Sequence, residues 1–299
     1  MTRITIPKQS IFSFVECLWF LDRNYDECLH HISGNTISKV ISISNKPLVF
    51  TLSSDKKNLH VDIIQGDTND DIINQLRLFI FDWLDLDRNI TPFYRLLKAN
   101  SRLSYMANDY SGLRLIAIPD LHEALCWSVI GQQINLKFAY TLKRRLVEKY
   151  GKAIDIENKR IHLFPGPAVL QHATIEELRS LQMTARKAEY LILISKLFAE
   201  GTISKHKILD AATFPERVQL LTAIKGIGAW TANYVLMKSV KDLQAAPYGD
   251  AGLLNALINH KLIKDKSNVK AIEKLFKPFK GWESYLVLYF WRSLSVMPV

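Results

Sequence analysis

The chain changes its periodicity once, near Pro119, and that change limits the fold more than any other feature. Before it, short apolar and polar residues alternate. Thr36 to Ser44 alternates with period two, as a half-buried strand does. Leu48–Leu52 and Leu59–Ile64 are further strand candidates, with Asn45-Lys46-Pro47 and Ser53-Ser54-Asp55 as turns between them. A helix is predicted from Asp70 to Leu84, where Ile72, Ile73, Leu76, Phe79, Ile80 and Trp83 share a face. After Pro119, helix follows helix. Asp120 with Glu123, and Thr174 with Glu177, have the spacing of capping boxes. Helices are predicted over 121–133, 136–150, 185–200, 215–224, 229–240, 251–260, 267–276 and 282–294. The expected fold is α+β, with an N-terminal mixed domain containing an antiparallel sheet over 1–115 and a mostly helical region over 116–299. The helical region is open to a further split around a cleft.

Composition narrows the partners. The 299 residues are 48% hydrophobic and 23% charged, as in a globular protein with a buried core. No apolar run approaches the roughly 18 residues that span a bilayer, so no membrane association is expected. The start, Met1-Thr2-Arg3-Ile4-Thr5-Ile6-Pro7, lacks the apolar core and cleavage site of a secretory signal. Cys17, Cys28 and Cys126 give neither a disulfide framework nor a zinc spacing, and reduced thiols in a cytoplasmic protein are expected. The net charge is +10, all of it in the second part of the chain. Residues 1–115 hold 13 basic and 13 acidic side chains, and 116–299 hold 26 and 16. Such one-sided excess is the footprint of a polyanion binder, or the solvated surface of a basic protein.

One segment carries chemistry. Lys225-Gly226-Ile227-Gly228 lies between two apolar helical runs. Glycines there permit positive φ and close approach of another backbone. The helix that follows presents unpaired N–H groups to a phosphate. The same pattern also fits a helix C-cap glycine followed by a tight turn. Asp250, 20 residues after Trp230, is a carboxylate that such a grip can direct at a sugar, and it is also a good helix N-cap.

The wider text, Leu-x-x-Ile-x-Gly-Ile-Gly-x-Trp-Thr-Ala with Pro247-x-Gly249-Asp250 beyond it, resembles the helix-hairpin-helix DNA glycosylases. Within them it is similar to the bacterial 3-methyladenine DNA glycosylase II (AlkA-type) family. Val129-Ile130-Gly131-Gln132-Gln133-Ile134, Leu163-Phe164-Pro165-Gly166-Pro167, Met183-Thr184-Ala185-Arg186-Lys187-Ala188 and Trp282-Glu283-Ser284-Tyr285 extend the resemblance over roughly 120–295. Residues 1–115 fit the family's N-terminal domain in length and pattern.

The resemblance implies a monofunctional hydrolase of alkylated purines in double-stranded DNA, acting in base-excision repair in the bacterial cytoplasm. Asp250 matches the catalytic Asp. Trp230, Tyr234 and Trp291 match the base pocket, although Tyr234 and Trp291 taken alone also suit a core. Lys225, Gly226, Ile227 and Gly228 match the DNA-backbone contact, with Lys225 where many members have proline. Gln133 aligns with the residue that fills the gap left by an extruded nucleotide, and it also suits an ordinary helix end. Trp230 stands where relatives that cut the backbone carry a lysine, the only side chain of these that can form a Schiff base with the sugar. Three scattered cysteines cannot hold the iron–sulfur cluster of another branch, so no cofactor is expected. The carbonyls of Thr222, Ile224 and Ile227 are where the family suggests a monovalent cation. A monomer is expected. Two rivals stay open: a non-catalytic helix-hairpin-helix module that binds damaged or bent DNA, and a bifunctional oxidised-purine lyase.

Overall fold

The computed structural model describes residues 2–23, 25–156 and 159–295. Its elements run β1 (Thr2–Pro7), α1 (Phe14–Leu21), β2 (His30–Ser33), β3 (Thr36–Ile43), β4 (Lys46–Ser54), β5 (Asn58–Gln65), α2 (Asp70–Trp83), α3 (Thr91–Ala99), α4 (Met106–Asp109), α5 (Leu121–Gly131) and α6 (Leu136–Tyr150). There follow β6 (Lys152–Ile156), β7 (Lys159–Leu163), α7 (Pro167–Leu170), α8 (Ile175–Ser180), α9 (Ala185–Ala199), α10 (Lys205–Asp210), α11 (Phe214–Thr222), α12 (Ala229–Val235), α13 (Ala251–Asn259), α14 (Val269–Phe276) and α15 (Glu283–Arg292). A π-helical turn, Leu236–Val240, continues α12, and a 3-10 turn, Lys277–Phe279, follows α14. No helix among the described residues is long and apolar enough to cross a membrane.

The chain forms two compact units. One holds Met1–Ser10, Phe20–Asp82 and Asp120–Ser204; the other holds Ile11–Trp19, Trp83–Pro119 and Lys205–Val299. These units cut across the division of 1–115 from 116–299 made on sequence pattern. The N-terminal sheet shares its unit with α5 to α9, and the helical stretch is divided after Ser204.

The physical reason lies in the first unit's sheet, which is apolar on both faces. Its order is β1-β5-β4-β3-β2, every neighbour antiparallel. On one face Val40 and its cross-strand partner Val49 cluster with Ile161 of β7, flanked by Ile154, Ile156 and Leu163. On the other, Phe50 meets Phe79 of α2 edge-on at 6.2 Å. The β6–β7 hairpin therefore closes a surface that would otherwise leave valines in water.

The second unit is built around α15, whose residues Ser284 to Phe290 are all buried. The Phe93 ring lies between Tyr289 at 4.9 Å, Tyr285 at 5.5 Å and Phe279 at 6.1 Å. Polar groups buried with it are paired. Tyr285 donates to Asp85 Oδ2 at 2.6 Å, and Arg292 meets both oxygens of Glu16 at 2.7 and 3.2 Å. Pairing of this kind avoids the cost of a buried, unsatisfied charge. It also fixes the rotation of α15, and with it Trp291.

Candidate active site

The hairpin forms between α11 and α12. Thr213 and Glu216 make a reciprocal capping box that starts α11. The helix ends in a turn where the Ile227 N–H donates to the Ile224 carbonyl at 3.0 Å. Ile224 and Ile227 are buried, which anchors the turn, while Lys225 is exposed. Gly226 has φ +92°, the left-handed region that favours glycine. Gly228 does not need that freedom: its φ is −89°. A Cβ added at Gly228 would meet nothing of the protein within 4 Å. Gly228 thus keeps open the approach to the α12 N-terminus, where no side chain caps the first amides. This arrangement offers N–H donors to an anion. The predicted helix over 229–240 is α-helical only to Val235 and then π-helical.

Asp250 is the N-cap of α13, its carboxylate accepting the Leu253 amide at 2.9 Å. The same atom, Oδ1, accepts the Trp291 indole N–H at 2.8 Å. Oδ2 accepts no hydrogen bond among the described residues. The capping reading of this residue is thus seen directly: the cap holds the carboxylate still and leaves Oδ2 without a partner among the described residues.

Three side chains hold the loop that delivers Asp250. Asn233 of α12 accepts the Ala246 N–H at 3.1 Å, so the hairpin's second helix holds the loop directly. Ser284, at the start of α15, places its one hydroxyl proton between the Asp242 and Ala245 carbonyls, both within hydrogen-bond reach. Arg217 of α11 pairs with Asp242 at 2.8 Å. Gly249, at φ +88°, lets the chain turn into the cap.

The aromatic residues form one row. Trp230 stacks on Tyr234 at 5.7 Å and 23°, as residues one helical turn apart can. Tyr234 is 6.3 Å from Trp291. All three are half-buried, so each keeps surface for a ligand. Lys238 is buried and donates to the Ile116 carbonyl, so its amine is committed within the fold.

Sequence reasoning missed Gly252. A Cβ there would stand 3.0 Å from Asp250 Oδ1 and 3.2 and 3.3 Å from Cδ1 and Nε1 of Trp291. The indole reaches the carboxylate across the bare Cα. A glycine in the first turn of a helix, where propensity disfavours it, was the available signal.

Gln133 belongs to the first unit. Asp120 caps α5, accepting the amides of His122 and Glu123 at 2.7 and 3.1 Å. At the other end Lys187 of α9 donates to the Ile130 carbonyl at 2.7 Å. This buried bond explains a lysine inside the Met183–Ala188 motif. Just beyond it Gln133 is exposed, with φ +58°, an uncommon conformation for a side chain other than Gly or Asn.

Comparison with known proteins identifies the family. Residues 126–281 match the HhH-GPD superfamily of base excision DNA repair proteins, and residues 23–125 match the 8-oxoguanine DNA glycosylase N-terminal domain. A DNA-3-methyladenine glycosylase of Bacillus subtilis is 37% identical over 298 residues, covering 97% of this chain and 96% of that protein. DNA-3-methyladenine glycosylase 2 of Escherichia coli is 27% identical over 204 residues, 67% of each chain. The structure of a 3-methyladenine DNA-glycosylase from Archaeoglobus fulgidus superimposes with a TM-score of 0.82 at 20% identity, covering 99% of this chain and 100% of that one. An 8-oxoguanine glycosylase/lyase from Clostridium acetobutylicum shares the fold at a TM-score of 0.75 and 16% identity, covering 99% and 97%. The chain belongs to the HhH-GPD superfamily of base excision DNA repair proteins.

Proposed function

We propose that this chain is a monofunctional DNA glycosylase that removes alkylated purines, the 3-methyladenine and 7-methylguanine class, from double-stranded DNA. The observation that carries this reading is Asp250, with Oδ1 held by two donors and Oδ2 open. The names of the similar Bacillus and Escherichia proteins support the substrate class.

The hairpin, Lys225 to Gly228, holds the phosphate backbone, which positions the enzyme without reading sequence. The damaged nucleotide leaves the stack, and Gln133 takes the vacated space. The extruded base lies against Trp230, Tyr234 and Trp291. A cationic alkylated base gains about 0.5–2 kcal/mol from aromatic faces, which neutral bases do not. The C1′–N bond breaks, its electron pair leaves with the base, and the base departs neutral. Positive charge on the sugar is stabilised by the fixed carboxylate of Asp250. Water attacks C1′ and gives its proton to Asp250, leaving an abasic site. With Trp230 where the lyases carry a lysine, no covalent amine intermediate forms. Carbonyls of Thr222, Ile224 and Ile227 supply neutral oxygens for a monovalent cation that would steady the hairpin.

The test is release of free bases from methylated duplex DNA by wild type and Asp250→Asn. Asparagine still caps α13, so the variant stays folded and DNA affinity stays within about tenfold, 1.4 kcal/mol. Release by wild type and none by the variant is expected. Full activity of the variant removes Asp250 from the reaction, and borohydride trapping of an enzyme–DNA adduct overturns the monofunctional assignment.

A further inference from the structure

Half of the chain's net charge of +10 sits in one short stretch. From His260 to Lys280 there are seven lysines and two carboxylates, Asp265 and Glu273, a net of +5. All seven lysines are exposed, and none is in an ion pair among the described residues. Asp265 is occupied locally, accepting the amide and hydroxyl of Ser267 at 2.9 and 2.5 Å.

The stretch includes α14, which buries Ile272 and Phe276. That leaves Lys270, Lys274 and Lys277, at i, i+4 and i+7, along its outer face. Four residues of helix rise about 6 Å. Two nucleotides of one DNA strand advance about 6.8 Å. The ridge also adjoins the loop that carries the carboxylate. Tyr248, exposed and two residues before Asp250, packs edge-on against Phe276 at 5.2 Å. An ordinary solvated face intersperses both signs. Here Glu273, three residues after Lys270 and four before Lys277, offsets only part of the repulsion among the three lysines, and the net of +5 over the stretch favours an anionic occupant with repeated charges.

We propose that the Lys270–Lys274–Lys277 ridge binds phosphates of duplex DNA outside the stretch held by the Lys225–Gly228 hairpin, and that it strengthens the hold on undamaged DNA. The proposal rests on the glycosylase reading only in taking duplex DNA as the polyanion.

The experiment compares wild type with the triple variant Lys270→Gln, Lys274→Gln, Lys277→Gln. The affinity for an undamaged duplex of about 30 base pairs, roughly 100 Å and so longer than the protein, is followed across salt concentrations. Each phosphate contact contributes about 0.9 to the slope of log K against log salt, so the triple variant loses about 2–3 from the slope. Affinity at low salt falls at least about tenfold, while single-turnover base release at saturating enzyme stays within about twofold of wild type. The matching arginine variant keeps the slope, and thermal melting establishes that both are folded. An unchanged slope overturns the proposal. So does a lost single-turnover rate at saturation, which would put the ridge in the reaction centre. If the duplex slope is unchanged but binding to polyaspartate is lost, the partner is an acidic protein and the proposal fails. Absence of base release by wild type would defeat the glycosylase reading and leave the binding result interpretable.

Discussion

Trp291 donates its indole N–H to Asp250 Oδ1 across 2.8 Å, while the Leu253 amide donates to the same oxygen at 2.9 Å. The two donors lock one face of the carboxylate. A catalytic group held this way spends no reorganisation energy as charge develops on the substrate. The indole thus makes two kinds of contact: its face belongs to the aromatic row and its edge holds the Asp250 carboxylate.

Trp291→Phe separates the two contacts, because phenylalanine keeps an aromatic face and lacks the N–H. A hydrogen bond to a charged group contributes about 1.5–3 kcal/mol, and half-burial argues for the low end. The maximal rate of base release is expected to fall about tenfold, 1.4 kcal/mol, with KM changed less than about threefold. Single-turnover kinetics over a range of DNA concentrations reads both. A rise in KM alone would mean that the indole only holds the base.

Gly252→Ala makes a sharper prediction, because stability and activity should move apart. Alanine favours a helix over glycine by roughly 0.5–1 kcal/mol. Its Cβ would also stand 3.0 Å from Oδ1 of Asp250 and within 3.3 Å of the indole. The side chains must part by a few tenths of an ångström, which loosens the bond between them. Base release is expected to slow by about tenfold, while the melting temperature holds or rises. Equal slowing and destabilisation would indicate general damage to α13.

Much of this site was legible in the sequence, because its parts are local. The glycines of the hairpin, the cap at Asp250 and the Trp230–Tyr234 pair each depend on residues within a turn or two. The helices after Pro119 were legible for the same reason, each with its own caps and apolar face. What was hidden depends on distant residues. Nothing near Trp291 in the chain indicates that its N–H meets Asp250, 41 residues away. The β6–β7 hairpin is short, and only the second apolar face of the sheet explains it. Strands β1 and β2, both at the edges of the sheet, give too few alternating residues to stand out.

Lys187 tests one such distant contact. Its amine donates to the Ile130 carbonyl at 2.7 Å in a buried setting, and burial pushes its pKa down. Lys187→Met keeps the aliphatic length and leaves that carbonyl without its donor. An unsatisfied buried acceptor costs about 1–3 kcal/mol. Chemical denaturation should show a loss of that size. The left-handed turn at Gln133, three residues beyond Ile130, loses one of the contacts that hold the end of α5, so affinity for duplex DNA is also expected to drop. Unchanged stability would mean that another group replaces the lysine.

The first unit also carries a pH dependence of defined sign. His122 is buried, with Nε2 donating to Ser195 Oγ at 2.9 Å while that hydroxyl donates to the Leu191 carbonyl. Burial pushes its pKa down to about 4, and the opposing attraction of Asp120 is smaller. The unfolded chain takes up the same proton near 6.5. Between these values the unfolded state binds more protons, so stability falls as pH falls. The contribution of His122 is complete above about pH 6.5 and is lost progressively toward pH 4. His122→Gln keeps a donor for Ser195 and cannot titrate. Its melting temperature should therefore decline less steeply than that of wild type between pH 6.5 and 4. His30, also pushed down to about 4 by burial, stays in both proteins and leaves a residual slope. Parallel melting curves for the two proteins across that window would show that His122 does not take up a proton on unfolding.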